Sequence, residues 1–337
     1  MPEELDIETF RLKMNELGAN EKPFLFLIDY ELQKPQIWEI SEIDSTTILY
    51  DINGFSNFPS SSQPTQAPFF FEKFPMAYSE YQLAFEKVQE AIRMGDTYLA
   101  NLTFATKVLS SLNLREIILR AKAPYRFYWK DKCAFFSPES FIKIKNQRIM
   151  SYPMKGTIRA EIPDAKATLI ADPKERAEHA TITDLIRNDL SSVADRVRVE
   201  RYRYVEKIEH HGGELLQTST EIAGDLPVDY KENLGDLLMK LLPAGSISGA
   251  PKARTVEVLA DAEDGPRGYY TGVLGYFDGE NLDSAVAIRF LEEKAGNLWY
   301  RSGGGLTHFS KAQAEYEELI EKVYLPFSRK NKPLSTY

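Results

Sequence analysis

The chain has 337 residues, of which 43% are hydrophobic and 27% charged, so it can bury a sizeable core as one large domain or two small ones. Its net charge of -9 argues against nucleic acid or an anionic membrane as a partner, and no apolar run reaches membrane-spanning length. The single cysteine, Cys133, excludes an internal disulfide, and the acidic N-terminus lacks a signal-peptide pattern, so we expect a cytoplasmic protein.

The first segment, 1–75, is predicted to be a short N-terminal portion that contributes strands to the same fold as the rest. Apolar residues at helical spacing, from Ile7 to Leu17, indicate a helix that stops at Gly18. The strands predicted next are Phe24–Ile28, Gln36–Trp38 and Thr47–Tyr50. Residues 56–69 are rich in Ser, Pro and Gln and predict a long loop.

The catalytic domain is predicted to span 76–327, with 328–337 as a tail. Ser79 is predicted to cap a helix that ends at Gly95. The other predicted helices are Leu112–Ala121, a long one from Pro173, Tyr230–Leu241, Ala253–Ala260 and Lys311–Val323. The predicted strands are Tyr98–Thr106, Tyr125–Trp129, Cys133–Phe136, Val197–Val205, Glu214–Ile222, Tyr269–Phe277, Ser284–Leu291 and Leu298–Ser302. Strand runs separated by occasional helices predict an α+β protein with large antiparallel sheets.

A hairpin is predicted within Ser137–Arg159, with apolar strands on either side of a polar turn. Glu139 precedes its first strand, and Lys155 follows its second. Antiparallel pairing would bring these two ends together, so the acid and the amine could share one pocket. A lysine beside Gly and Thr is more often a surface charge, and its interpretation depends on the motifs that follow.

Two predicted helices each present a pair of acids three residues apart, which places both carboxylates on one helix face. The pairs are Glu175 with Glu178, and Glu315 with Glu318. A solvated charged face is the usual explanation of such pairs. Four carboxylates that converged in one pocket would need a cation, and oxygen-only ligands suit Mg²⁺ rather than zinc.

Two glycine-rich segments are candidates for anion binding. The loop Pro243–Lys252 is not a Walker A loop, because its lysine is not followed by Ser or Thr, but its backbone and hydroxyls can bind a carboxylate. The triglycine Gly303–Gly305 predicts a turn whose N–H groups form an anion nest. Arg289 is a charge in an apolar strand, either facing outward or forming a fork for a substrate carboxylate.

The chain resembles the chorismate-utilising enzymes, the family of anthranilate, isochorismate and aminodeoxychorismate synthases. The resemblance runs from about Tyr81 to Lys322 and rests on SPESF, PMKGTIR, DPKERAEHATITDLIRNDL, PAGSISGAPKARTVEVL, RGYYTGVLGYF, VAIRF and SGGGLTHFSKAQAEYEELIEK, in that order. It implies two large antiparallel sheets packed as a sandwich, with helices outside and a truncated N-terminal portion.

By this resemblance the acidic pairs form a Mg²⁺ site that grips the ring carboxylate of chorismate. Glu178 and Glu318 would ligate the metal, and Glu175 and Glu315 would hold its waters. The residues implied to bind the substrate are Gly156, Thr157, Ser246, Tyr270, Arg289, Gly304 and Gly305.

Lys155 distinguishes the members of this family, and here it resembles the mark of aminodeoxychorismate synthase component I, where anthranilate synthases usually carry Ala. The implied chemistry is an amination of chorismate, of the aminotransferase class. The Lys155 amine adds at ring carbon 2 while Glu139, kept protonated by burial, gives its proton to the departing carbon-4 hydroxyl. Ammonia then adds at carbon 4 and expels the lysine, which yields 4-amino-4-deoxychorismate on the way to p-aminobenzoate and folate.

Two positions depart from the family pattern. Leu99 stands where relatives carry Gln or a water-activating Lys, which counts against isochorismate synthase, and Gln217 replaces an expected His. Anthranilate synthase component I and a non-catalytic chorismate-binding subunit remain the alternatives. The chain contains no glutaminase module and no lyase domain, so the expected partners are chorismate, a glutamine amidotransferase subunit and a separate aminodeoxychorismate lyase.

Overall fold

Two antiparallel β-sheets pack face to face in the computed structural model, which describes residues 5–59, 68–210 and 213–327. The helices are α1 Ile7–Ala19, α2 Tyr78–Met94, α3 Leu114–Arg120, α4 Ala165–Ala171, α5 Pro173–Ser191, α6 Leu234–Leu241, α7 Gly245–Ser248, α8 Lys252–Ala262 and α9 Ala312–Glu321. The strands are β1 Phe24–Ile28, β2 Gln36–Glu39, β3 Ile48–Ile52, β4 Phe55–Ser56, β5 Phe71–Phe74, β6 Leu99–Ser110, β7 Tyr125–Trp129, β8 Cys133–Ser137, β9 Ser140–Lys145, β10 Arg148–Ser151, β11 Met154–Arg159, β12 Asp195–His210, β13 Gly213–Asp225, β14 Gly249–Ala250, β15 Val273–Phe277, β16 Leu282–Val286, β17 Phe290–Lys294 and β18 Asn297–Leu306.

The first sheet has the order β11-β13-β10-β9-β16-β15-β1-β2, with β12 also paired to β13. The second has the order β14-β6-β18-β17-β8-β7-β3-β4, with β5 paired to β6. Every described strand pair is antiparallel. The predicted α+β architecture with two antiparallel sheets is therefore confirmed.

Side chains along β1 point alternately to the two faces of the first sheet, which shows how the layers are built. Leu25 and Leu27 belong to the core between the two sheets, together with Phe127 and Phe135 of the second sheet. The intervening residues of β1 face the other way and pack with α1, α5 and α6 on the outside of the first sheet. All five residues of β1 are buried because both faces of this strand are covered, and the strand is accordingly apolar throughout.

The N-terminal segment supplies strands to both sheets: β1 and β2 to the first, and β3, β4 and β5 to the second. Part of the predicted loop, 60–67, and the predicted tail, 328–337, lie outside the described residues. The division into an N-terminal portion and a catalytic domain stays a prediction. The three strands predicted here agree with β1, β2 and β3, whereas α1 continues through Gly18 to Ala19.

The predicted strand Ser284–Leu291 is wrong as a single element, because the chain changes sheets inside it. β16 ends in the first sheet at Val286, and β17 begins in the second sheet at Phe290. Arg289 lies at the crossing with a left-handed backbone (φ +54°), and its carbonyl accepts a hydrogen bond from Phe136 N–H at 3.3 Å. The single apolar run in the sequence therefore corresponds to two strands, each of which is buried in a different sheet.

Several other features differ from the sequence prediction; the strand predicted from Tyr269, for example, begins only at Val273. Gly303–Gly305 do not form a turn: they lie in β18 and pair with residues 101–103 of β6. The cap of α2 is Ala77 rather than Ser79, and Glu80 accepts the Ala77 N–H at 3.3 Å. Lys155 lies within a strand of its own, β11, which pairs with β13.

Candidate active site

Lys155 projects from the first sheet towards the triglycine segment of the second. A β-carbon placed on Gly305 would lie 3.3 Å from Lys155 Nζ and 3.4 Å from Leu99 Cδ1. The pairing of β11 with β13 shifts register between Lys155 and Thr157, and this bulge re-aims the lysine side chain. The lysine amine thus reaches the opposite sheet, beside an apolar residue and a glycine that leaves room for a ligand.

Glu139 immediately precedes β9 and is joined to α7 by a hydrogen bond from Ser246 Oγ to Glu139 Oε1 at 2.5 Å. Burial raises the pKa of the Glu139 carboxyl, and this effect exceeds the lowering by the Ser246 hydrogen bond and by three nearby positive charges. Those charges belong to Lys155, Arg289 and Lys322. The expectation that burial favours a protonated Glu139 is confirmed in direction, and the acid and the amine share one electrostatic environment.

Lys322 is a site residue that the sequence analysis missed. Its Nζ donates to the carbonyl of Gly303 at 2.9 Å and pairs with Glu318 Oε1 at 2.7 Å. A β-carbon on Gly304 would lie 3.7 Å from this amine. The spacing of four residues between Glu318 and Lys322 on one helical turn was the available signal.

Arg289 lies where the chain crosses between the sheets, and Tyr270, which precedes β15, lies close enough to be affected by its positive charge. The Arg289 guanidinium lies 5.1 Å from the ring centroid of Tyr324, and its Nε is buried without a hydrogen-bond partner among the described residues. Tyr270 is 3% exposed, and burial raises the pKa of its hydroxyl. A half-buried arginine with an unsatisfied donor fits an anionic ligand, whereas an outward-facing role for Arg289 is wrong.

Gly156 and Thr157 differ in their surroundings. Gly156 has φ +74°, and a β-carbon there would lie 2.9 Å from Glu175 Oε2, so both its backbone and its neighbour require glycine. Thr157 is exposed and lies opposite Gln217 in the ladder between β11 and β13. The binding roles of these two residues and of Gly304 and Gly305 stay predictions.

The four acids lie on α5 and α9 as predicted. Glu315 is 8% exposed, and its Oε2 would be 3.6 Å from a β-carbon on Gly304. Across the described ranges, no group of three or more His, Cys, Asp or Glu side chains lies close enough to form a metal cluster. The donors are carboxylates, which fit Mg²⁺, an ion that usually takes one or two of them and completes its shell with water and substrate oxygens. The metal, with Glu178 and Glu318 as its ligands and Glu175 and Glu315 holding its waters, stays a prediction.

A cleft of about 1080 Å³ opens elsewhere, lined by Trp38, Trp129 and neighbouring residues of β2, β3 and the β7–β8 turn. It contains none of the residues described above. Contacts and charge, rather than cavity size, therefore locate the candidate site.

Residues 19–327 match the family described as chorismate binding enzyme. The chain belongs to this family. An uncharacterized PabA-like protein of Pasteurella multocida (strain Pm70) is 46% identical over 322 residues, 96% of this chain and 99% of that protein. Aminodeoxychorismate synthase component 1 of Klebsiella aerogenes is 35% identical over 74% of this chain and 57% of that protein.

Among solved structures, anthranilate synthase component I from Streptococcus pneumoniae TIGR4 superposes with a TM-score of 0.66 and 29% identity. This match covers 77% of the chain and 59% of that structure. The family identifies the chain as an enzyme that acts on chorismate. Both an aminodeoxychorismate synthase component 1 and an anthranilate synthase component I are similar to it. None of the described helices is long and apolar enough to cross a membrane.

Proposed function

We propose that the chain is the chorismate-aminating component of an aminodeoxychorismate synthase, which forms 4-amino-4-deoxychorismate from chorismate and ammonia. The observation that carries the proposal is the position of Lys155 Nζ against Gly305, in the same electrostatic environment as Glu139. A primary amine and a carboxylic acid beside one ligand space are the two groups that a nucleophilic displacement of a ring hydroxyl requires.

The roles of the two groups follow from their chemistry. Lys155 supplies the electron pair that forms a C–N bond at ring carbon 2, both ring double bonds shift by one position, and the C–O bond at carbon 4 breaks. Glu139 gives its proton to the departing hydroxyl, which leaves as water. Ammonia then forms the C–N bond at carbon 4, both double bonds shift back, and the lysine leaves with its electron pair.

The remaining residues bind and shield the substrate in this proposal. Arg289, with its unsatisfied Nε, and Tyr270 hold the enolpyruvyl carboxylate, and Ser246 keeps Glu139 in place. Leu99, 4% exposed, presents a methyl group beside Lys155 and keeps water from the amine. When bound, Mg²⁺ would supply positive charge for the ring carboxylate, with Glu178 and Glu318 as its direct protein ligands and Glu175 and Glu315 holding its waters.

Ammonia is proposed to come from a glutamine amidotransferase subunit, because relatives named as component 1 and PabA-like imply a second component. The product is proposed to pass to a separate aminodeoxychorismate lyase. Each partner is tested by adding the amidotransferase subunit, and then the lyase, to the purified chain and measuring product formation.

The deciding experiment is turnover with chorismate, Mg²⁺ and an ammonium salt, with and without an aminodeoxychorismate lyase. Wild type is compared with Lys155→Ala and with Lys155→Arg, which keeps the positive charge but cannot act as a neutral nucleophile. Lys145→Ala, an exposed lysine of the adjacent hairpin, is the matched control.

We expect p-aminobenzoate only in the presence of lyase, its loss in both Lys155 variants, and wild-type rates for Lys145→Ala. Anthranilate formed without lyase would instead assign the chain to the anthranilate synthase reaction. Chorismate binding without turnover in any tube would indicate a non-catalytic binding subunit.

A further inference from the structure

His179 lies on α5 one residue after Glu178, and its side chain is completely buried against β13. Its Nε2 lies 2.6 Å from Thr220 Oγ1, and its Nδ1 lies 3.3 Å from Thr218 Oγ1. Thr218 Oγ1 in turn donates a hydrogen bond to the backbone carbonyl of Lys155. The imidazole therefore stands between two threonine hydroxyls, one of which contacts the residue that carries the reactive amine.

The direction of each hydrogen bond follows from the donors available. Thr218 donates its only hydroxyl hydrogen to the Lys155 carbonyl, so its oxygen accepts from His179 Nδ1–H. A neutral imidazole then has no hydrogen on Nε2, which accepts from the Thr220 hydroxyl, while the Thr220 oxygen accepts the backbone N–H of Arg203 at 3.0 Å. A neutral imidazole with the hydrogen on Nδ1 satisfies every group in the chain.

We propose that His179, as the neutral Nδ1–H tautomer, is a positioning residue for Lys155. The relay from Arg203 N–H through Thr220, His179 and Thr218 ends on the carbonyl at the bulge between Lys155 and Thr157. It fixes the backbone that aims the lysine at Gly305, and it ties that backbone to the helix bearing Glu175 and Glu178. The catalytic consequence rests on the proposed function, whereas the relay itself does not.

The relay is tested first without any activity measurement. Long-range ¹H–¹⁵N correlation spectra of the ¹⁵N-histidine-labelled chain distinguish the two neutral tautomers, and the four histidines of the sequence make the assignment practical. The resonance lost in His179→Gln identifies the residue. A single species protonated on Nδ1 is expected. Protonation on Nε2, or a mixture of tautomers, would overturn the relay whatever reaction the protein catalyses.

The positioning role is tested with Thr218→Val, which removes the hydroxyl at nearly constant shape, and with Thr218→Ser as the conservative rescue. We expect Thr218→Val to lower kcat about 10- to 100-fold, because a small displacement of a reacting group costs up to ~100-fold. Chorismate dissociation constants, measured by calorimetry, are expected to stay within about twofold, since the variant leaves the binding groups in place. Thr218→Ser is expected to recover most of the lost rate.

A purely structural role predicts a different pattern. Equal losses in chorismate affinity and in kcat, or a lowered melting temperature with unchanged kcat, would contradict positioning. Wild type that binds chorismate without turnover would contradict the proposed function, and the tautomer measurement would still decide the relay.

Discussion

Ser246 Oγ donates to Glu139 Oε1 at 2.5 Å, which joins α7 to the beginning of β9 across 107 residues of sequence. The bond acts on a carboxyl whose pKa burial raises. A hydroxyl donor favours the charged carboxylate, so Ser246 limits how far burial can raise that pKa. The two residues together set the pH at which Glu139 loses the proton that the proposed reaction requires.

Removing this hydroxyl is expected to move the alkaline limb of the kcat–pH profile. Activity needs protonated Glu139 and therefore falls as pH rises through its pKa; Ser246→Ala raises that pKa further, so the limb moves to higher pH. Ser248→Ala, on the same short helix, loses only a 2.9 Å hydrogen bond to the Ala244 carbonyl and is the matched control. An unmoved limb in Ser246→Ala would show that Glu139 does not govern it.

Glu139→Gln is expected to abolish turnover and to stabilise the fold above neutral pH. A carboxyl whose pKa is raised in the folded state favours folding fully below its unfolded value of 4.5, and this contribution is lost as pH rises through the folded value. Glutamine keeps the shape and carries no charge to bury. The melting temperature of the variant should exceed that of wild type at pH 8, and the difference should shrink below pH ~4.5. A constant difference at all pH values would contradict a raised pKa.

The hydrophobic pattern was sufficient for most strands and helices, since β1, β7 and α5 follow directly from apolar periodicity and punctuation. It failed where tertiary pairing overrides local preference. Gly303–Gly305 have the composition of a turn but form a ladder with β6, because the neighbouring strand supplies their hydrogen-bond partners. The crossing between sheets at Arg289 cannot be recognised from the hydrophobic pattern either, since the strands on both sides of it are apolar.

The site was predictable to the extent that helical spacing and motif order determine it. Glu315 and Glu318 are on one helix as expected, and Lys155 and Glu139 share one environment. The opposition of Lys155 to Gly305 depends on how two sheets face each other, which no local pattern encodes. The contacts of His179 with two threonines of β13 require the same long-range information.

A methyl group at Gly305 is expected to impair catalysis without unfolding the protein. The β-carbon of Gly305→Ala would lie 3.3 Å from Lys155 Nζ and 3.4 Å from Leu99 Cδ1, tighter than most such contacts, so the amine must move. In Gly304→Ala the nearest atoms lie at 3.6 and 3.7 Å, which is ordinary packing. We expect a kcat loss of at least about tenfold for Gly305→Ala and a much smaller loss for Gly304→Ala.

Both variants keep the backbone N–H groups, so the comparison isolates the space beside Lys155. Circular dichroism melts establish that each variant is folded before kinetics are measured. Equal rates for the two variants would show that catalysis does not depend on the position of the Lys155 amine beside Gly305.

A buried ion pair supports the segment that leads to Tyr270, and its disruption is expected to be costly. Arg267, 1% exposed, donates to both carboxylate oxygens of Glu263 at 2.6 and 2.8 Å. Its remaining donors reach the carbonyls of Ile247 and Asn101 at 2.9 and 2.6 Å. The guanidinium thereby links α7, β6 and the end of α8 immediately behind the candidate site.

Arg267→Met is expected to lower the free energy of unfolding by about 3–5 kcal/mol, because it leaves the Glu263 carboxylate buried without its partner. In the double variant Arg267→Met, Glu263→Gln the loss should be smaller than the sum of the two single losses, since no charge is then buried alone. Urea titrations followed by circular dichroism measure both quantities. Arg254→Met, which breaks the solvent-accessible pairs with Glu257 on α8 and with Asp96, is the control and should change stability little. Additive losses in the double variant would show that the two charges do not depend on each other.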